Sequence, residues 1–100
     1  MATTTKVLFR GAASTSSVTL YTVPSTTTTV VSNITVTNTA TSGATFTLLL
    51  DDVELQKDST IAANSTAYID LKQVLEAADT IKGLASATTV DFHISGVEIA

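Results

Sequence analysis

Apolar residues recur at every second position along most of this chain, with threonine or another small polar residue between them. Val18 and Leu20 alternate with Thr19 and Tyr21 before Val23-Pro24 stops the run. Val30, Ile34 and Val36 share one parity, and Asn33, Thr35 and Thr37 the other. Ala44, Phe46, Leu48 and Leu50 alternate with Thr45 and Thr47 after a turn-like cluster over residues 39–43. A period of two belongs to strands with one face buried and one in water, the pattern of antiparallel sheets. Threonine suits the wet parity, because its branched Cβ fits the pleat and its hydroxyl tolerates water. Thr supplies 21 residues and Ser 10, yet Val, Leu, Ile and Phe still make 28 of the 100. That apolar share can build a core, which excludes a disordered or mucin-like Thr-rich stalk.

The remaining punctuation divides the chain further. Asp51-Asp52 reads as a tight hairpin into Val53, Leu55 and Lys57, although Asp-Gly would be the stronger signal there. Residues 62–65 turn into Ala67, Ile69 and Leu71, and strands follow over Thr80 to Ala85 and Val90 to Ile99. In the last strand Phe92 and Ile94 lie on one parity and Val97 and Ile99 on the other. A bulge at Ser95-Gly96 is expected to bring both pairs to the core. Leu71, Val74, Leu75 and Ala78 follow a helical spacing, with Asp70 as an N-cap, so a short helix over 71–78 competes with strand continuation.

Seven or eight short strands predict an all-β, antiparallel β-sandwich, with Ig-like or jelly-roll-like connections. The Cys pair and Trp of an Ig core are missing. One domain over residues 7–100 is expected, preceded by a flexible arm over 1–6, where three threonines have no apolar partner. The expected core comprises Val18, Leu20, Val30, Ile34, Val36, Phe46, Leu48, Ile69, Ile81, Phe92 and Ile94.

Charge and composition exclude several functions. The net charge is −4, and the four Lys and one Arg stand singly, so no basic stripe for nucleic acid exists. No Cys is present for a disulfide, a thiolate nucleophile or a Cys-based zinc site. The N-terminus lacks the apolar core of a signal peptide, and no apolar run approaches the ~20 residues of a membrane span. The reading is a soluble cytosolic product that does not engage membranes.

Candidate sites carry little chemistry. His93, the single histidine, shares a parity with Asp91 and Ser95, but neighbours two apart on one strand cannot converge on a substrate as a triad does. Asp51, Asp52, Glu54 and Asp58 lack the spacing and glycine of a calcium loop. The sequons at Asn33-Ile34-Thr35 and Asn64-Ser65-Thr66 are expected by chance in so Thr-rich a chain. No catalytic residue, cofactor or metal site is expected. Tyr21 and Tyr68 fall on mixed or polar parities, and His93 on an outward one. Together with Thr3, Thr4 and Thr5 of the arm, they are the candidate interface residues.

Leu20 to Pro24, Val30 to Thr39, Ala44 to Leu48, Asp51-Asp52, Leu75 to Ile81, Ala85-Ser86, Val90 to Phe92 and Ser95 to Ile99 occur in a recognisable order. Over roughly residues 17–100, the chain resembles a group of small β-sandwich virion proteins of tailed bacteriophages. It departs from that pattern where glycine is expected: after Pro24, after Asp51 and before Asp79. Ser25 or Thr26, Asp52 and Ala78 stand there instead. The resemblance implies a non-enzymatic virion protein made in the host cytoplasm. Capsid decoration, or cement, is the leading role, with a tail, neck or baseplate component as the alternative. Implied partners are other virion proteins, the major capsid or a tail protein, and further copies of the chain as a homo-oligomer such as a trimer. A carbohydrate-binding or adhesion module is the competing class, and the absence of Trp weighs against it.

Overall fold

The computed structural model describes residues 2–100, which form eight strands and no helix among them. The strands are β1 (Thr3–Ala12), β2 (Val18–Thr22), β3 (Thr28–Asn38), β4 (Ala44–Leu50), β5 (Val53–Ile61), β6 (Ser65–Leu75), β7 (Thr80–Ala85) and β8 (Val90–Ile99). They form two four-stranded sheets, β1-β8-β3-β6 and β2-β7-β4-β5, with every pairing antiparallel. β1 pairs with β8, β2 with β7, β3 with β6 and β4 with β5, a single folded ribbon wrapped into two layers. The fold is a jelly roll. An Ig-like order would place β1 and β2 in one sheet, whereas here they lie in different ones.

The core lies between the layers. Ile34, Val36, Phe92 and Ile94 come from one sheet, and Phe46, Leu48, Ile81 and Ile61 from the other. Gly83 on β7 leaves room for this contact, since a Cβ there would sit 3.1 Å from the Phe92 ring and 3.2 Å from Leu48.

Backbone pairing settles one open choice and corrects one expectation. Residues 71–78 form no helix: β6 continues to Leu75 because Gln73, Val74 and Leu75 pair with Val31, Val30 and Thr29. A turn follows, closed by the Glu76 amide donating to Asp79 Oδ2 at 2.8 Å. The parity switch is not at Ser95-Gly96, because β8 alternates without a break and leaves Val97 and Ile99 half-buried on its outer side. The bulges lie in its neighbours, at Leu8 in β1 and Ser32 in β3. Gly96 takes an inward position that no side chain could share, since a Cβ would meet the Val30 carbonyl oxygen at 2.3 Å.

The Ser32 bulge also changes the core. Val30 turns to the outer face and Val31, fully buried, replaces it. Val18 is 39% exposed, and Leu20 and Ile69 are partly buried against the core. Val31→Ala should therefore cost about 2 kcal/mol and Val30→Ala less than about 1 kcal/mol in chemical denaturation, whereas equal losses would place the bulge elsewhere.

Residues 3–6 of the expected arm form the start of β1, where Thr3, Thr4, Thr5 and Lys6 pair with Ile99, Glu98, Val97 and Gly96. Met1, the first residue of that arm, lies outside the described residues.

The glycine departures fall on turns that keep a left-handed backbone without glycine. Thr26 has φ 56°, Asp52 φ 61° and Ala78 φ 74°. A Cβ in this region costs roughly 1–2 kcal/mol, partly offset by the greater freedom of glycine in the unfolded chain. Ala78 is exposed. Ala78→Gly should therefore stabilise the fold by about 0.5–1 kcal/mol, read as a raised Tm.

Candidate interaction surface

The outer face of the β1-β8-β3-β6 sheet is built by cross-strand register. Arg10 lies opposite His93, His93 opposite Thr35 and Thr35 opposite Tyr68, so four side chains form one row across the sheet. Val7, Ser95, Asn33 and Asp70 make the row on one side. Ala12, Asp91, Thr37 and Thr66 make the row on the other, where Thr37 and Thr66 share a hydroxyl hydrogen bond of 3.3 Å. Tyr68 is 76% exposed and His93 is also exposed. Register thus brings two of the candidate interface residues together and adds Arg10 and Thr35, which alternation within single strands does not connect.

The Ser32 bulge opens the next part of this face. A depression of about 410 Å³ lies between Ser32 and Thr5, Val7, Ser95 and Val97. A second, of about 510 Å³, lies between Ser32 and Asp70, Leu71 and Lys72. By the alternation of β1, Thr3 and Thr5 belong to this outer face and Thr4 to the opposite one.

Tyr21 is elsewhere. A register shift between Thr19 and Tyr21 turns its ring towards Ile81 and the space between the sheets. Its hydroxyl donates to Glu98 Oε2, so Thr29 Oγ1, 2.8 Å away, donates to the tyrosine oxygen. Lys6 Nζ completes the cluster 3.3 Å from Glu98. Burial, then the hydrogen bond to Glu98, pushes the Tyr21 hydroxyl up to about 12. The Tyr21 hydrogen bond, followed by Lys6, holds the Glu98 carboxyl below its ordinary value against the opposing effect of desolvation. A carboxyl depressed in the folded state stabilises the fold above its unfolded pKa, and that stability is lost as pH falls through the folded pKa. Glu98→Gln should cost about 1–2 kcal/mol at neutral pH and flatten the stability–pH curve below the ordinary glutamate range. An unchanged curve would show that the carboxylate is not held by this cluster.

The acidic hairpin does not gather into a cation site. Asp52 Oδ1 is paired with Lys82 Nζ at 2.6 Å, and Glu54 with Lys57 at 3.2 Å. Asp79, chiefly by charge repulsion, raises the Asp51 carboxyl above its ordinary value. Among the described residues no group of three or more His, Asp or Glu is placed to hold a metal. Asp91, His93 and Ser95 stand side by side along β8, with no hydrogen bond from His93 to either among the described residues. Every buried side-chain nitrogen and oxygen of the described residues has a hydrogen-bond partner.

No family model matches the chain, and no curated protein matches its sequence. Solved structures do match. A protein of the T13 IBDV viral particle superposes with a TM-score of 0.59 at 8% identity, over 97% of this chain and 30% of that one. The likeness is one of fold. A pentameric capsid protein isolated from metagenomic phage sequences matches with a TM-score of 0.42 at 14% identity, over 94% of this chain and 59% of that one. A second structure of a protein so described gives a TM-score of 0.42 at 15% identity, over 94% and 60%. The chain thus spans less than a third of the first of these proteins and about three-fifths of the others.

Proposed function

We propose that this chain is a non-enzymatic structural protein of a virus particle. Its role is that of a decoration protein on the head of a tailed phage, seated by protein–protein contacts and present in several copies that touch one another. The observation that carries the reading is the jelly roll itself, which accounts for the whole described chain and superposes on part of an icosahedral virus protein over 97% of its length. The surface chemistry supports it. Only 14% of residues are charged, and the outer face of the β1-β8-β3-β6 sheet is rich in hydroxyls, so a protein partner can cover it at little desolvation cost. The Thr3–Lys6 end of β1, exposed at the margin of that sheet, is the part that gains contacts on the particle. The resemblance of the sequence to small β-sandwich virion proteins of tailed phages supports phage over other viruses, and the low charge and Thr-rich outer faces suit the repetitive surface docking of a head protein.

Docking through the outer face is tested by placing charge at its centre. Thr35→Glu with His93→Glu should leave the Tm of the isolated protein nearly unchanged. The same pair should weaken binding to particles lacking the chain by about tenfold or more. Undiminished binding would contradict this face as the docking surface. One observation favours the sugar-binding reading instead: Tyr68, 76% exposed in a row with Thr35, His93 and Arg10, offers an aromatic face beside polar groups. Saturable binding to a glycan array that Tyr68→Ala abolishes would support that reading.

A further inference from the structure

A jelly roll leaves four strand edges, and each of them carries some interruption. β1 carries a bulge at Leu8 between Lys6 and Arg10. β2 has five residues and a register shift. β5 has two register shifts and a left-handed residue, Asp58, at φ 46°. Bulges, charges and short length are the usual guards of an edge. β6 also has a register shift, where Leu71 and Lys72 lie against the single residue Ser32 of β3, and it carries Asp70 and Lys72. At 11 residues, however, it is the longest of the four edges, and it has no left-handed position. Its pairing with β3 keeps odd-numbered residues on the core side and even-numbered ones on the outer face on both sides of that shift.

Its sequence is self-complementary about Leu71. In an antiparallel pairing of β6 with a copy of itself across a two-fold axis at Leu71, Asp70 lies opposite the copy's Lys72 and Lys72 opposite its Asp70. In the same register, Tyr68 lies opposite Val74. These are the two exposed large apolar side chains of the strand, at 76% and 58% exposure. Directly opposed residues share a face in an antiparallel pair. Asp70, Lys72, Tyr68 and Val74 all belong to the outer parity, so the charge pairs and the apolar pairs form together. A shift of the axis by one residue in either direction loses both.

We infer that β6 is a self-pairing edge. A second copy of this chain adds its own β6 about Leu71, and two four-stranded sheets become one continuous sheet. The inference stands on register and does not depend on the virion reading. Such a contact is isologous and closes at two copies, so a trimer would need a different surface.

Sedimentation velocity of the full chain over a concentration series tests it. The wild type should show a monomer–dimer equilibrium. Asp70→Lys or Lys72→Asp alone sets like charges opposite each other twice per dimer and should weaken dimerisation by about 30-fold or more. The double exchange, Asp70→Lys with Lys72→Asp, restores opposite charges and should return the constant to within about threefold of wild type. Melting curves of the three variants as monomers confirm that they are folded. Leu71→Cys, in a chain with no other thiol, should form a disulfide-linked dimer on oxidation. A strict monomer at every concentration overturns the inference, as do a dimer indifferent to the single exchanges, a double exchange that fails to restore it, or a cysteine at position 71 that stays unlinked.

Discussion

Replacing Phe92 by alanine is expected to destabilise the fold by about 3–5 kcal/mol, the largest effect of any single core truncation here. The ring is fully buried at the middle of β8, and it meets Phe46 of the opposite sheet edge-on, with centroids 6.3 Å apart and planes inclined at 70°. This contact joins the two layers. The space above Gly83 is already filled by Phe92, Leu48 and Leu20, so truncation leaves a void walled by both sheets. Backbones held by antiparallel pairing on each side cannot collapse far into it. Phe46→Ala should cost a similar amount. A double-mutant cycle between the two should return a coupling of about 0.5–1.5 kcal/mol from the edge-to-face contact. A loss below about 1 kcal/mol for either ring would mean that the sheets do not meet there.

Asn38→Ala should cost about 2–4 kcal/mol, although it removes only a small polar side chain. Asn38 is fully buried at the end of β3 and holds three connections together. Its amide nitrogen donates to the Ser42 carbonyl at 2.9 Å and lies 3.3 Å and 3.4 Å from those of Ala62 and Ile61. Its oxygen accepts from the Ala40 amide at 3.1 Å and from the Thr89 hydroxyl at 3.3 Å. Alanine removes the shared partner of these five groups beneath a fully buried position, and the cost of stranding several polar groups exceeds that of losing one hydrogen bond. Asn38→Asp should fare no better at neutral pH, because it turns a carboxylate oxygen towards the carbonyls that the amide now serves. Denaturation gives the magnitude, and faster amide exchange at Ala40 would locate the loss. A change under about 1 kcal/mol would show that water replaces the amide.

How much of this was legible in the sequence follows from what alternation can and cannot carry. Period two identifies strands and their buried parity as long as each residue has one partner, and Ile34, Val36, Phe46 and Leu48 all lie where that count puts them. A bulge breaks the count. The neighbours Val30-Val31 followed by Ser32-Asn33 contain the break as two apolar and then two polar residues, but only the pairing with β8 and β6 shows that Val31 turns inward. Tyr21 escaped for the same reason, through the shift beside Leu20. The helical reading of 71–78 drew on both strand faces at once. Leu71 and Leu75, four apart, also share a strand parity, and pairing with β3 settled the competition. The row of Arg10, His93, Thr35 and Tyr68 depends on three register relations between distant strands, which no single segment encodes. The choice of jelly roll over Ig-like connections is likewise a matter of sheet order. The turns were legible in an inverted sense: the positions where glycine was missed are those whose backbone still takes the glycine conformation.

The central claim is that this jelly roll is a repeated structural part of a virus particle. Quantitative mass spectrometry of gradient-purified particles tests it most directly, by counting copies of this chain against the major capsid protein. A decoration protein should appear in numbers comparable to the capsid protein and remain with the particles through repeated banding. A count at the few copies of a tail or neck ring would keep the structural role and move it off the head. Complete loss from banded particles, with the chain recovered only in the free fraction, would contradict the account.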